Sequence, residues 1–125
     1  MSVNELQNRL KEIKIEDFIW LIYIGIIILS YYSNSLERDY LINGNQISKE
    51  KYRNIMIIIF SILLVVYYYF LSDSYESIKN LHNIDETNYL YYLSFLASLL
   101  IFISGSIFLY IAIKDEELNV ELAFN

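Results

Sequence analysis

The side chains capable of chemistry are few, and their spacing assembles no site. Asp73, Glu76, Asp85 and Glu86 fall in one short polar stretch, with His82, the only histidine, among them. Carboxylates at this density attract a cation at a surface, yet a solvated connector between helices uses the same residues. One imidazole without a neighbouring thiolate makes no metal ligand set. The chain has no Cys, which removes disulfides, thiolate metal sites and cysteine nucleophiles. Serines abound without a base to activate them, and no glycine loop of the phosphate-cradling kind is present. The expectation is a protein that is not an enzyme, with no catalytic residue, no metal and no cofactor. A net charge of −6 also argues against nucleic acid as a partner, since Lys and Arg must neutralise its phosphates.

The elements that carry these residues are dominated by three apolar stretches. Residues 18–36, 54–72 and 87–113 each contain no Asp, Glu, Lys, Arg or His. A hydrocarbon core of ~30 Å needs about 20 helical residues at ~1.5 Å each, and all three runs meet or approach that length. Residues 54–72 hold thirteen Ile, Leu, Val, Phe or Met residues. At the insertion values of the strongest of these, they contribute roughly −4 to −7 kcal/mol, against a cost of about 2.5–3.5 for one central Lys or Asp. The competing reading takes Tyr23–Leu29 and Ile55–Phe60 as buried strands, because both are rich in β-branched residues. Strands rarely run beyond about 8 residues between breakers, and the chain has no Pro at all. The sequence therefore predicts an all-α integral membrane protein. Its single unit, residues 1–125, is a three-helix transmembrane bundle running up-down-up, with spans near 17–36, 50–73 and 86–114. The abundance of Ile, Asn, Lys and Tyr fits an AT-rich genome, hence a bacterial plasma membrane or an organellar inner membrane.

Between and beside the spans, the signals are local. Val3, Leu6, Leu10 and Ile13 share one helical face, which reads as a short N-terminal amphipathic segment in the interface or as a solvated extension of the first helix. A basic flank, an apolar run and the pair Ser33 and Ser35 resemble a leader peptide. Four acidic residues in the leading segment and bulky Tyr31 and Tyr32 before the cleavage position argue against it. Residues 37–53 form a first loop turning at Asn43-Gly44-Asn45, with Ser48 as the cap of the second helix. Asp73 and Glu76 have capping-box spacing, suggesting a short surface helix from Ser74 to about Leu81. Asp85 and Glu86 place acids at the positive end of the third helix. Trp20, Tyr67, Tyr68, Tyr69, Tyr89, Tyr91 and Tyr92 lie toward one side of the membrane, as an aromatic belt or, for the tyrosines, as a pocket between the second and third helices.

The clearest pattern lies in the third span. Ser94, Ser98, Ile101, Gly105, Phe108 and Ala112 fall within roughly 40° of one line at about 100° per residue. Small residues on one stripe let helix backbones approach closely, which drives association in lipid. Gly25 in the first span is a candidate matching notch. The helix-packing interface predicted from these signals is Gly25, Ser94, Ser98, Gly105 and Ala112, serving either a partner helix or packing within the chain. Lipid and other transmembrane helices, from a hetero-complex or further copies, are the partners implied.

The chain's general build is similar to that of small three-span subunits of respiratory and transport assemblies and of bacteriocin-immunity-like proteins. This implies an anchor or accessory subunit of a larger membrane complex. Three spans and a charged tail broadly resemble the three-span phage holins, implying as the alternative a homo-oligomeric pore with Ser94, Ser98 and Ser104 lining it. The tail Asp115-Glu116-Glu117 is acidic where holin tails are commonly basic. For orientation, the N-terminal segment and second connection hold four Lys and Arg, and the first loop and tail hold five. Lys51, Arg53 and Lys114 abut their spans, which leans the first loop and C-terminus to the inside.

Overall fold

Three long helices form because nothing in the apolar runs interrupts them. The computed structural model describes residues 2–81 and 86–122, and every regular element among them is helical. Helix α1 is Val3–Asn43, α2 is Gln46–Lys79 and α3 is Asn88–Lys114. At ~1.5 Å per residue these rods are about 60, 50 and 40 Å long. The Ile-rich runs that resemble strands lie inside α1 and α2. Two of the three, α2 and α3, are long and apolar enough to cross a membrane.

Caps set the boundaries. Ser2 and Glu5 exchange side-chain and backbone hydrogen bonds of 3.2 and 3.3 Å, a capping box that starts α1. Gly44 ends it at φ 65°, the left-handed conformation that a Cβ disfavours, and its N–H donates to the Tyr40 carbonyl at 2.8 Å. Asn45 caps α2 by accepting from the N–H groups of Ile47 and Ser48. The first connection is thus a two-residue turn rather than a loop over 37–53, and the α2 cap is Asn45 rather than Ser48. Asn45 wins because it directly follows the glycine that breaks α1. The short surface helix expected after Ser74 is the last turns of α2, which runs through Asp73 and Glu76 without a break. His82 and Asp85 lie outside the described residues.

Helix α2 is the middle of the molecule. It packs against both α1 and α3, while the backbones of α1 and α3 make no contact with each other. Contacts such as Asp39 with Ser48 and Phe60 with Phe108 run in opposite chain directions, so neighbouring helices are antiparallel. The arrangement is therefore a row with α2 between its neighbours, not a closed triangle. The buried residues of α2 explain this: Tyr52, Met56, Ile59, Phe60, Leu63 and Val66 recur at three- and four-residue spacing. Ile26 and Leu36 from α1 and Ala112 from α3 complete the core.

The start of α1 is an unbroken extension of the first helix, as one of the two sequence readings has it, whereas the C-terminal tail differs from a plain acidic extension. Val3, Leu6, Leu10 and Ile13 are exposed and continue directly into the apolar run, as the first turns of α1. The tail turns back at Leu118, whose φ is 57°. It lays Leu118 and Leu122 against the core, and Leu122 is only 7% exposed.

Candidate functional site

Because the backbones of α1 and α3 do not meet, a furrow opens between them over α2, and it extends both ways along the seam of α2 with α3. Its middle is a cavity of about 330 Å³ lined by Tyr23 of α1, by Tyr67, Phe70, Asp73 and Ser74 of α2, and by Ser94, Ser98 and Ile101 of α3. Toward the α2–α3 connection it continues into a cavity of about 360 Å³ that shares Asp73, Ser74 and Ser94. In the other direction it continues into one of about 270 Å³ that shares Tyr67 and Ile101 and ends at Gly105 and Phe108. One end of the furrow is rich in hydroxyls and holds a carboxylate; the other is apolar.

The stripe on α3 divides along this furrow. At Gly105, an added Cβ would stand 3.0 Å from the Tyr67 ring and 3.3 Å from Leu64, so the glycine lets α2 and α3 approach. Ala112 is also buried, and these two are the only buried residues of α3. Ser98 Oγ lies 3.0 Å from Ser74 Oγ. Ser74 already donates its proton to the Phe70 carbonyl at 2.9 Å, which leaves Ser98 to donate between the pair. Ser94 is exposed at the furrow and Ser104 is exposed beside it. Gly25 stands apart, exposed on α1, where an added Cβ would meet no atom within 4 Å. The structure brings Ser94, Ser98, Gly105 and Ala112 onto the side of α3 that meets α2, and leaves Gly25 separate from them. Of the tyrosines, Tyr67 and Tyr91 turn into the furrow, whereas Tyr68, Tyr89 and Tyr92 project outward.

The opposite end of the molecule is held by polar bonds that sequence reasoning missed. Asp39 accepts from Asn43 at 2.7 Å, from Asn45 at 2.8 Å and from Ser48 at 2.5 Å. The Ser48 hydroxyl, followed by the two amides, holds the Asp39 carboxyl below its ordinary value. Lys49 donates to Glu117 of the tail at 3.0 Å and stands 5.3 Å from the Tyr40 ring. The hydrogen bond to Glu117 raises the Lys49 pKa against the opposing effect of partial burial. Arg53 donates to the Ile113 carbonyl at 3.0 Å, and Asp115 accepts from the Val120 N–H at 2.7 Å. That backbone bond, with one from Asn119, lowers the Asp115 pKa. The spacing Asp39-x-x-x-Asn43-x-Asn45 was a usable signal, since one carboxylate can gather donors from both sides of a tight turn. The tail's return carried a weaker signal in the apolar Leu118, Val120 and Leu122 after the acids.

Among the described residues no three His, Cys, Asp or Glu side chains lie close enough to share a metal ion. No protein-family model, curated protein or solved structure matches this chain. The molecule's surface is large: the accessible area is 9096 Å², where the scaling for a soluble monomer of 14.9 kDa gives about 7,000 Å². Much of the excess is apolar. Phe18, Trp20, Leu21, Ile24, Ile27 and Ile28 of α1 are exposed, and so are Leu93, Leu96, Leu100, Ile103 and Ile107 of α3.

Proposed function

We propose that this is a non-catalytic integral membrane protein that works through contacts between transmembrane helices, as an anchor or accessory subunit of a larger membrane complex. All three helices cross the bilayer, near 17–36, 50–73 and 86–114, with α2 between α1 and α3. The observation carrying the reading is the outer apolar face of α3: only 11% of its most apolar 18-residue window is buried within the chain. The core helix of a soluble protein would be mostly covered, and soluble monomers rarely expose contiguous apolar patches beyond a few hundred Å². In lipid, the same side chains are at no disadvantage. The serine hydroxyls of the helices support the reading too. Ser33, Ser61, Ser74 and Ser106 each donate to a carbonyl three or four residues earlier, at 2.7 to 2.9 Å, so these hydroxyls need no water as acceptor.

Membrane fractionation followed by mild-detergent purification and mass measurement tests the proposal. The expected result is a chain that resists alkaline extraction from membranes and emerges with other chains. A chain soluble without detergent overturns it. A ring of identical copies that permeabilises cells on expression overturns the accessory reading in favour of a homo-oligomeric pore. For orientation we propose the N-terminus outside, with the first turn and the C-terminus inside. Cysteines at Ser2 and Asn45 should then label from the outer and inner sides respectively, and labelling of position 2 from the cytoplasm reverses the assignment.

A further inference from the structure

We propose that the furrow along α2 and α3, open toward α1 at its middle, holds one phospholipid whose headgroup carries a primary ammonium, seated with its charge at Asp73 and an acyl chain along α3 toward Gly105. The inference rests on the membrane reading above.

Three cavities with shared walls run in sequence from a hydroxyl-rich end to an apolar one. Ser94 to Phe108 spans about 21 Å of helix at ~1.5 Å per residue, more than the ~15 Å depth of one leaflet of a ~30 Å core. Its length suits a headgroup and one chain. At the polar end, the Asp73 carboxylate is half-buried and makes no hydrogen bond or ion pair among the described residues. Glu12 and Glu16 of α1 add negative charge on the same side, and the nearby Arg9 is paired with Glu12 at 3.4 Å. This end therefore attracts a cation and repels an anion. An ammonium brings three donors, matched by Asp73 and the hydroxyl oxygens of Ser94 and Tyr91. Below it, Tyr67, Ile101 and Phe108 offer an apolar wall, and the missing side chain at Gly105 keeps α3 against the Tyr67 ring.

The test is native mass spectrometry of the full chain extracted into mild detergent and equilibrated with equal amounts of phosphatidylethanolamine and phosphatidylglycerol. One retained lipid per chain is expected, with phosphatidylethanolamine favoured up to about five-fold, the scale of one partly exposed ion pair. Asp73→Asn should bring that ratio near one. Ile101→Trp, which fills the furrow, should reduce retention of both lipids. Should Asp73→Asn lose its helical circular dichroism, Ser94→Lys at the exposed wall takes its place and should invert the preference. Equal retention of the two lipids by the natural chain overturns the inference, as does a preference that survives the charge change. Either result in a detergent-dependent chain leaves the membrane reading standing, whereas a chain that needs no detergent overturns that reading first.

Discussion

The two ends of α2 solve the same problem in opposite ways. At the Gly44 turn, both neighbours are drawn tightly to α2: Asp39 gathers three donors, Arg53 and Lys49 reach α3 and the tail, and Leu122 closes over Tyr52 and Met56. The cavity enclosed beneath the tail is only about 40 Å³, and a hollow of about 260 Å³ lies outside it at the surface between Lys49, Arg53 and Glu117. At the Ser74 end, one hydroxyl pair and the ring contact of Tyr75 with Phe95 join α2 to α3, and about 330 Å³ stays open beside them. The difference follows from side-chain size and connection length. A two-residue turn keeps α1 against α2, and burying large side chains such as Phe60 and Met56 binds the row. At the other end, serines supply little apolar area to close a gap. The packed end holds the row together, and the open end leaves space between the helices.

Truncation in the packed region should be the most damaging change. Phe60 is 1% exposed and stacks on Phe108 at 5.5 Å between centroids. Phe60→Ala should cost about 3–5 kcal/mol, the usual range for a buried aromatic, in detergent unfolding followed by circular dichroism. Leu90→Ala at the open end, where Leu90 is half exposed, should cost far less. Equal losses would erase the contrast between the ends. The tail comes next. Leu122→Ala should lower stability by about 2 kcal/mol and expose the tail to protease, and no change in digestion would mean that the tail does not close that end.

Glycine substitutions sharpen the comparison further. Gly105→Leu drives a side chain into Tyr67 and Leu64 and should cost about 1–3 kcal/mol by overpacking. Gly25→Leu and Ile103→Leu should stay within about 0.5 kcal/mol, as exposed substitutions do. If loss of co-purifying chains accompanies Gly105→Leu while the monomer stays folded, the stripe serves an outside partner as well. No effect of Gly105→Leu on yield, stability or association would mean that the stripe faces lipid.

The smallest effect expected is electrostatic. The Asp39 carboxyl sits below its ordinary value when folded, so its stabilising contribution is present above the unfolded pKa of about 3.9 and lost as pH falls through the lower folded value. Asp39→Ala should therefore be less stable than the natural chain at neutral pH, and the two should converge in acid. A gap that persists unchanged at low pH would assign the effect to something other than the carboxylate.

Much of the fold was legible in the sequence. Uncharged runs without Pro specify helices, and the Asn43-Gly44-Asn45 turn lies where its residues indicate. Periodicity alone could not reveal that α2 lies between α1 and α3, because the apolar runs are apolar on all sides. Which face of each is covered depends on Met56, Ile59 and Phe60 finding Ile26 and Ala112. The α3 stripe was visible as spacing, but its counterpart on α2 is a tyrosine, not a second small residue, and Gly25 has nothing opposite it. The furrow was visible only in part: the tyrosines suggested a pocket between the second and third helices, and Tyr67 and Tyr91 line one, but its opening toward α1 is a consequence of two helices failing to meet.

Trp20 reports whether the outer apolar faces meet lipid. It is the only tryptophan, 64% exposed on the outside of α1. With the purified chain reconstituted in vesicles, its emission should be blue-shifted, strongly quenched by lipids brominated on their acyl chains and little affected by aqueous iodide. Quenching by iodide with no response to brominated lipid would put that face in water and rule out its contact with lipid.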